Sequence, residues 1–384
     1  MLFGLSGFEI IGILAFILLI FLLPTILRIR LVSGVNKRVF ELENMVIESK
    51  KILIEMSKEK GKPVLDPSGT IEDFMEFFII PPVDLDPNGV VQKFEKLLDL
   101  SEDRFKQMVK KIAPLADENT KSNLIMTLKA TLGINSVAKQ VRHNLELAKK
   151  TGNIQILLML QMSLPLIMRI VRAQFEGTKA FSQGKPIGDG LGPLVAGMLM
   201  RDYKTEYLNE IEDMIVAKKQ YDEHNVFIVR AKGPGARIGK VGRVVTSIIE
   251  NEKIDKIITV DAAVKLEGEE TGKVAQGIGV VIGGIGVDKW TIEEEILKKD
   301  LDIDAVIVKM SPEEAISNMN QKIADAGKEA LQVVKGSILN SKKDTNILVV
   351  GVGNSCGIPN IIEDISQIEI KEEINEKEGK RWRF

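Results

Sequence analysis

Hydrophobic and polar positions divide this chain into three textures. Phe8 to Leu27 is an almost unbroken apolar run in which Glu9 is the one charge. About 20 residues at 1.5 Å each match a bilayer core of roughly 30 Å, so the run predicts a transmembrane helix within an anchor at 1–30. No small-residue cleavage site follows it, which argues for a retained anchor in contact with the lipid bilayer. Arg28, Arg30, Lys37 and Arg38 come next with no acid before Glu41, and no Lys or Arg precedes the run. The positive-inside bias then predicts a single-pass protein of the cell membrane, with its N-terminus outside and residues 28–384 cytoplasmic.

The second texture is helical. Val35, Phe40, Leu42, Val46, Ile47, Leu53 and Ile54 recur at helical spacing and predict an amphipathic stalk over 31–60, stopped by Gly61-Lys62-Pro63. A helical domain is expected over 61–176. It opens on a turn-rich connection at 64–92, and Ser101 is placed to cap a helix that Pro114 limits. Ile154–Val171 is the second most apolar stretch. Gln155, Gln161, Ser163, Pro165 and Arg169 make it costly in lipid, so a buried core helix is favoured over a second span or an interfacial helix. A homo-oligomer through the stalk or the helical block fits this pattern.

From residue 177 the period shortens. VFIVRA (226–231), KIITVDAAV (256–264), AVIVKM (305–310) and ILVVGVG (347–353) alternate with helical segments. Strands apolar on both faces predict a mostly parallel sheet with helices on both faces. The expected fold is therefore an α/β domain over 177–366, followed by a charged tail at 367–384 where Trp382 is a candidate anchor.

Composition narrows the chemistry. A net charge of −2 argues against nucleic acid as a partner. One cysteine and two histidines are too few for a disulfide framework or a structural zinc site, and no metal site or cofactor is assigned. Carboxylates, hydroxyls, lysine and backbone amides remain. Twenty of the 32 glycines fall in the windows 177–197, 233–242, 268–286 and 351–357, three of which touch strand ends, where parallel sheets bind ligands.

Gly233, Gly235, Gly239 and Lys240 lead into a helix and suit a phosphate or nucleotide, although the P-loop spacing is absent. Gly351, Gly353 and Asn354 repeat the glycine spacing. A bound nucleotide, a generic anion and a purely structural turn are all compatible with these loops. Asp189, ringed by glycines, is either a site acid or a turn and cap residue. Asp261 closes the apolar run KIITVD. Cys356 is a candidate nucleophile without a histidine placed to activate it.

Together these segments resemble spore germination proteases and hydrogenase-maturation proteases. Asp189-Gly-Leu-Gly-Pro-Leu-Val is similar to their acidic segment; residues 233–265 are similar to their loop, helix and Asp-Ala strand; residues 277–287 are similar to the glycine-rich turn that follows. The Gly-Val-Gly-Asn turn at 351–354 stands last here instead of first, which a circular permutation would reconcile by bringing Gly353 and Asn354 beside Asp189. The whole chain is similar to an archaeal membrane-anchored family of unknown function. The resemblance implies a hydrolase, peptidase-like, whose catalytic groups are Asp189 and Asp261, with a peptide as substrate. The histidine that completes a metal set in the maturation proteases does not follow Asp261. Glu267, Glu269 and Glu270 are candidate third acids. The alternative is a non-enzymatic, membrane-tethered module that holds a small anionic ligand or acts as a scaffold.

Overall fold

The computed structural model describes residues 7–81, 89–201, 206–283 and 286–370. Trp382 and the charged tail beyond 370 lie outside them, as does most of the Asp-Pro-Asn-Gly turn. Two compact units divide the chain, Met1–Glu48 with Leu132–Arg172, and Ser49–Thr131 with Ala173–Phe384. They interleave along the sequence, because the divisions fall inside long helices.

Helix α1 (Gly7–Met56) runs without a break from the apolar run into the stalk, and Pro24 lies within it. The first unit comprises most of α1 with parts of α4 (Glu118–Thr151) and α5 (Ile154–Gln183). Val35, Val39, Leu42 and Val46 of α1 are buried at helical spacing, whereas Phe40 and Ile47 are exposed. The true stripe is therefore one face narrower than the sequence pattern suggested. Arg142 grips both carboxylate oxygens of Glu43 at 2.6 and 2.8 Å, and Arg28 donates to the Lys149 carbonyl at 2.9 Å. By length and apolar content, α1 and α5 are the two described helices able to cross a membrane. The α1 apolar run is exposed from Ile10 to Leu27. Along α5, Leu157, Leu160, Leu164 and Met168 are buried, while Leu158, Met159, Met162 and Leu166 are exposed. The core-helix reading thus holds for one face only.

The second unit contains α2 (Ser68–Phe74) and α3 (Val90–Ile112), followed by a seven-stranded sheet. Helix α2 forms inside the segment expected to be a turn-rich connection. Helix α3 begins eleven residues before Ser101, which is buried within it and caps nothing. Helix α6 (Leu191–Leu199) precedes strands β1 (Glu206–Ile211), β2 (Met214–Tyr221) and β3 (His224–Ala231). Then come α7 (Val241–Asn251), β4 (Lys256–Val264), β5 (Val274–Gly277), α8 (Val287–Lys299), β6 (Asp302–Met310), α9 (Pro312–Ile316), α10 (Gln321–Leu339) and β7 (Asn346–Gly351).

The strand order is β1-β2-β3-β7-β4-β6-β5. β3, β7, β4 and β6 pair in parallel; β1, β2 and β5 are antiparallel at the two edges. The expected α/β fold is present, and the mostly parallel sheet holds loosely: a parallel centre of four strands is flanked by antiparallel edges. The β1–β2 hairpin escaped notice because Glu212 and Asp213 supply its left-handed turn, where glycine or asparagine is usual. Ile258 and Val260 pack with α6 and α10 on one face, and Ile257 packs with α7 and α8 on the other. Both faces are covered, so the central strands carry apolar side chains on both sides.

Candidate active site

Two acids and a turn converge at the carboxyl end of the parallel strands. The order of β4 puts Asp261 on the side of Ile257 and Thr259, two residues beyond the latter. Strand β7 stops at Gly351, opposite Val260, and Val352 adds one last bond to the Val260 carbonyl at 2.9 Å. Asp261 is therefore at the level where β7 gives way to the turn Val352–Asn354. Asp189 lies in the single 3-10 turn Gly188–Gly190 that opens α6, and its Oδ2 accepts from the Asn354 amide at 3.0 Å. The structure thus sets Gly353 and Asn354 against Asp189.

Glycine makes that approach possible. A Cβ at Gly353, where φ is +130°, would stand 1.9 Å from the Asp189 carbonyl oxygen. A Cβ at Gly192 would lie 2.1 Å from the Val352 oxygen and 2.6 Å from that of Val260. All of these are backbone atoms that cannot swing away. Gly192→Ala is accordingly expected to lift α6 from the strand ends and cost about 3 kcal/mol, as overpacking does. Urea denaturation of the purified variant checks this, and an unchanged midpoint would refute it.

Burial dominates the electrostatics. Asp261 is almost wholly buried; its Oδ1 accepts from the Ala262 amide at 2.6 Å and its Oδ2 from the Gly283 amide at 2.8 Å. Loss of water pushes its pKa up to about 8, the nearby Asp189 charge adds to the rise, and the two amides oppose it. Asp189 retains some solvent access as a residue, but protein encloses its carboxyl group, and this desolvation raises its pKa to about 6 against the pull of the Asn354 amide. Among the described residues no basic side chain lowers either value. Near neutrality Asp261 therefore keeps its proton while Asp189 is ionised, so the two acids carry one proton between them.

The other sequence candidates lie elsewhere or are engaged. Lys240 is ion-paired with Asp99 of α3, and the Gly242 amide at the start of α7 is taken by Asp288 Oδ1 at 2.8 Å. An anion in this loop would have to displace two of the chain's own carboxylates. A Cβ at Gly233 would meet the Ile358 carbonyl at 1.8 Å, one at Gly235 would meet Arg237 and Asn119, and one at Gly239 would meet Met214. Gly233, and Gly351 against α6, serve close packing of backbone, whereas Gly235 and Gly239 make room for neighbouring side chains. Glu269 pairs with Lys309 and holds the Leu266 amide, away from Asp261. Cys356 is buried, and desolvation pushes its thiol up to about 12, which removes the thiolate a nucleophile needs. Among the described residues no group of three or more His, Cys, Asp or Glu is placed to hold a metal ion.

Sequence reasoning missed Arg230. It is fully buried on β3, and its guanidinium donates to the carbonyls of Ala231, Ile358, Pro359 and Asn360 at 2.7–3.3 Å. This ties the loop after the Asn354 turn to the sheet. A lone charge inside the apolar strand VFIVRA was the available signal.

Fold and site together define an α/β protein with an N-terminal helix able to cross a membrane and a buried carboxylate pair at its strand ends. Two family models match the chain: "Protein of unknown function (DUF1512) N-terminal domain" over residues 9–184, and "Domain of unknown function (DUF1512) C-terminal" over residues 187–359. The chain belongs to the DUF1512 family. No curated protein matches it.

Proposed function

We propose that this is a membrane-anchored cytoplasmic hydrolase of peptide bonds, with Asp189 and Asp261 as its catalytic groups. The observation that carries this reading is the placement of two buried carboxyls, both raised toward neutrality, where β4 and β7 end and the Asn354 turn meets Asp189. The resemblance of residues 189–195 and 233–265 to the germination and maturation proteases supports it. So does the contact of the permuted Gly-Val-Gly-Asn turn with Asp189.

The chemistry follows from one shared proton. The ionised member takes a proton from water as the water oxygen attacks the carbonyl carbon. The protonated member gives its proton to the amine as the C–N bond breaks, so the pair ends with one proton, as it began. Asp261 holds its proton to higher pH and serves as the acid; Asp189 serves as the base.

Turnover is expected to follow a bell in pH with limbs near 6 and 8. Below the lower limb both groups are protonated and no base remains; above the upper limb both are ionised and no acid remains. With the full-length chain in detergent micelles and a mixture of peptides as probe, Asp189→Asn and Asp261→Asn should each lower turnover about 10²–10⁴-fold without loss of circular dichroism. Wild-type turnover in both variants would reject the proposal.

A further inference from the structure

The apolar run of α1 ends at Leu27, and the next residue, Arg28, reaches the loop joining α4 to α5. Its guanidinium donates to the Lys149 carbonyl at 2.9 Å, and Gly152 lies so close that a Cβ there would be 3.6 Å from Arg28 Nη1. The tip of the α4–α5 hairpin is thus fixed one residue past the end of the apolar run. All of these residues belong to the first compact unit.

Charge at this tip is mostly positive. Residues 24–37 and 147–162 contain Arg28, Arg30, Lys37, Lys149 and Lys150 and no Asp or Glu, in a chain whose net charge is −2. Glu146 pairs with Lys149 at 2.8 Å. Among the described residues no carboxylate lies within ion-pair distance of Arg28, Arg30 or Lys150. The α5 amides offer an anion little, because Asn153 Oδ1 already accepts from Gln155 N at 2.8 Å. Any anion here would be held by side chains.

We infer that Arg28, Arg30, Lys149 and Lys150 form a docking site for the headgroups of anionic phospholipids, which holds the hairpin tip against the cytoplasmic membrane surface. The inference rests on the α1 run spanning the bilayer, as proposed above, and is independent of the hydrolase reading. A headgroup layer is about 5–7 Å deep on each side of the hydrocarbon, so a tip one residue beyond the span lies within it. Each cation near an anionic surface adds to the attraction, and the effect fades within a Debye length. The partner is a lipid surface and not a soluble anion, because Arg28 and Arg30 follow directly on the span and Lys149 and Lys150 belong to the tip that Arg28 touches.

The full-length chain, labelled with a fluorophore at Thr151→Cys, tests this in nanodiscs containing headgroup-nitroxide lipid. Cys356 is buried and its thiol is raised to about 12, so labelling near neutral pH goes to position 151. Quenching should be about twofold stronger with phosphatidylglycerol than with phosphatidylcholine alone. That difference should disappear in 1 M salt, where the Debye length is about 3 Å, and in the double variant Lys149→Glu, Lys150→Glu. Inorganic phosphate added to phosphatidylcholine discs should change nothing.

Equal quenching in the two lipids would overturn the inference, as would a difference that survives charge reversal. A response to phosphate alone would make this a free-phosphate site and overturn the lipid assignment. Extraction with alkaline carbonate separates the two layers of the argument. A chain that stays in the membrane but shows no lipid effect refutes only the headgroup site; a chain that is released refutes the span as well.

Discussion

Asp261→Asn is expected to raise the melting temperature at pH 8 and to flatten its fall between pH 5 and pH 8. An unfolded Asp ionises near pH 4, whereas the folded Asp261 keeps its proton up to about 8. Between those values the folded state holds a proton that the unfolded state has released. Stability is therefore at its full value below about pH 4 and falls as pH rises through the folded pKa. Asparagine is neutral in both states and removes that slope. At 1.36 kcal/mol per pH unit, the difference between variant and wild type from pH 5 to pH 8 is about 4 kcal/mol. Asp189→Asn should act in the same direction over a narrower range that ends near 6. Thermal scans at four or five pH values check this. A wild-type chain whose stability rises with pH, with Asp261→Asn parallel to it, would refute the buried-acid account. The same substitution is expected to stabilise the fold and abolish turnover, a combination that a purely structural aspartate would not show.

Arg230→Met should have the largest destabilising effect. The methionine fills much of the volume but strands the carbonyls of Ile358, Pro359 and Asn360, which lose charged donors inside the protein. Breaking such a buried set costs about 3–5 kcal/mol. For a domain of this size that corresponds to a drop in melting temperature of the order of 10 °C. Arg230→Lys keeps the charge but loses the fork that reaches several carbonyls at once, and should fall between the two. Gly197 supports this reading, since a Cβ there would be 2.5 Å from Arg230 Nη1. A melting temperature unchanged in Arg230→Met would show that the loop after β7 is held by something else.

Much of the fold was readable where burial imposes a period. Lys256–Val264 was expected as a strand and is β4, since a central parallel strand must be apolar on both faces. The stretch VGRVVTSIIENE was expected as a helix and is α7, whose apolar positions repeat on one side. The β1–β2 hairpin was not readable, because its sequence mixes charged and apolar residues without a regular alternation and its turn lacks glycine. Ser101 misled because a local capping signal carries no information about the helix already begun at Val90.

For the site, residue type drew attention to Asp189 and Asp261, but nothing local shows that the turn 352–354 lies against Asp189, a pairing 165 residues apart in sequence. The glycine loop misled in the other direction. Its pattern invited an external anion, whereas Asp99 and Asp288, remote in sequence, already meet its lysine and its helix start.

That loop has a consequence for how the chain is made. Asn123 receives the Ala236 amide, Asn119 receives Arg237, and Asp99 and Glu95 receive Lys240 and Arg243, across 113 to 148 residues of sequence. A ribosome adding roughly 5–20 residues per second needs about 6 to 30 s to supply these partners after the acids and amides of α3 and α4 have emerged. During that interval the apolar run has already left the ribosome, while the polar ends of α3 and α4 still face water. The contacts that α3 and α4 make with this loop therefore cannot form before the C-terminal segment is synthesised.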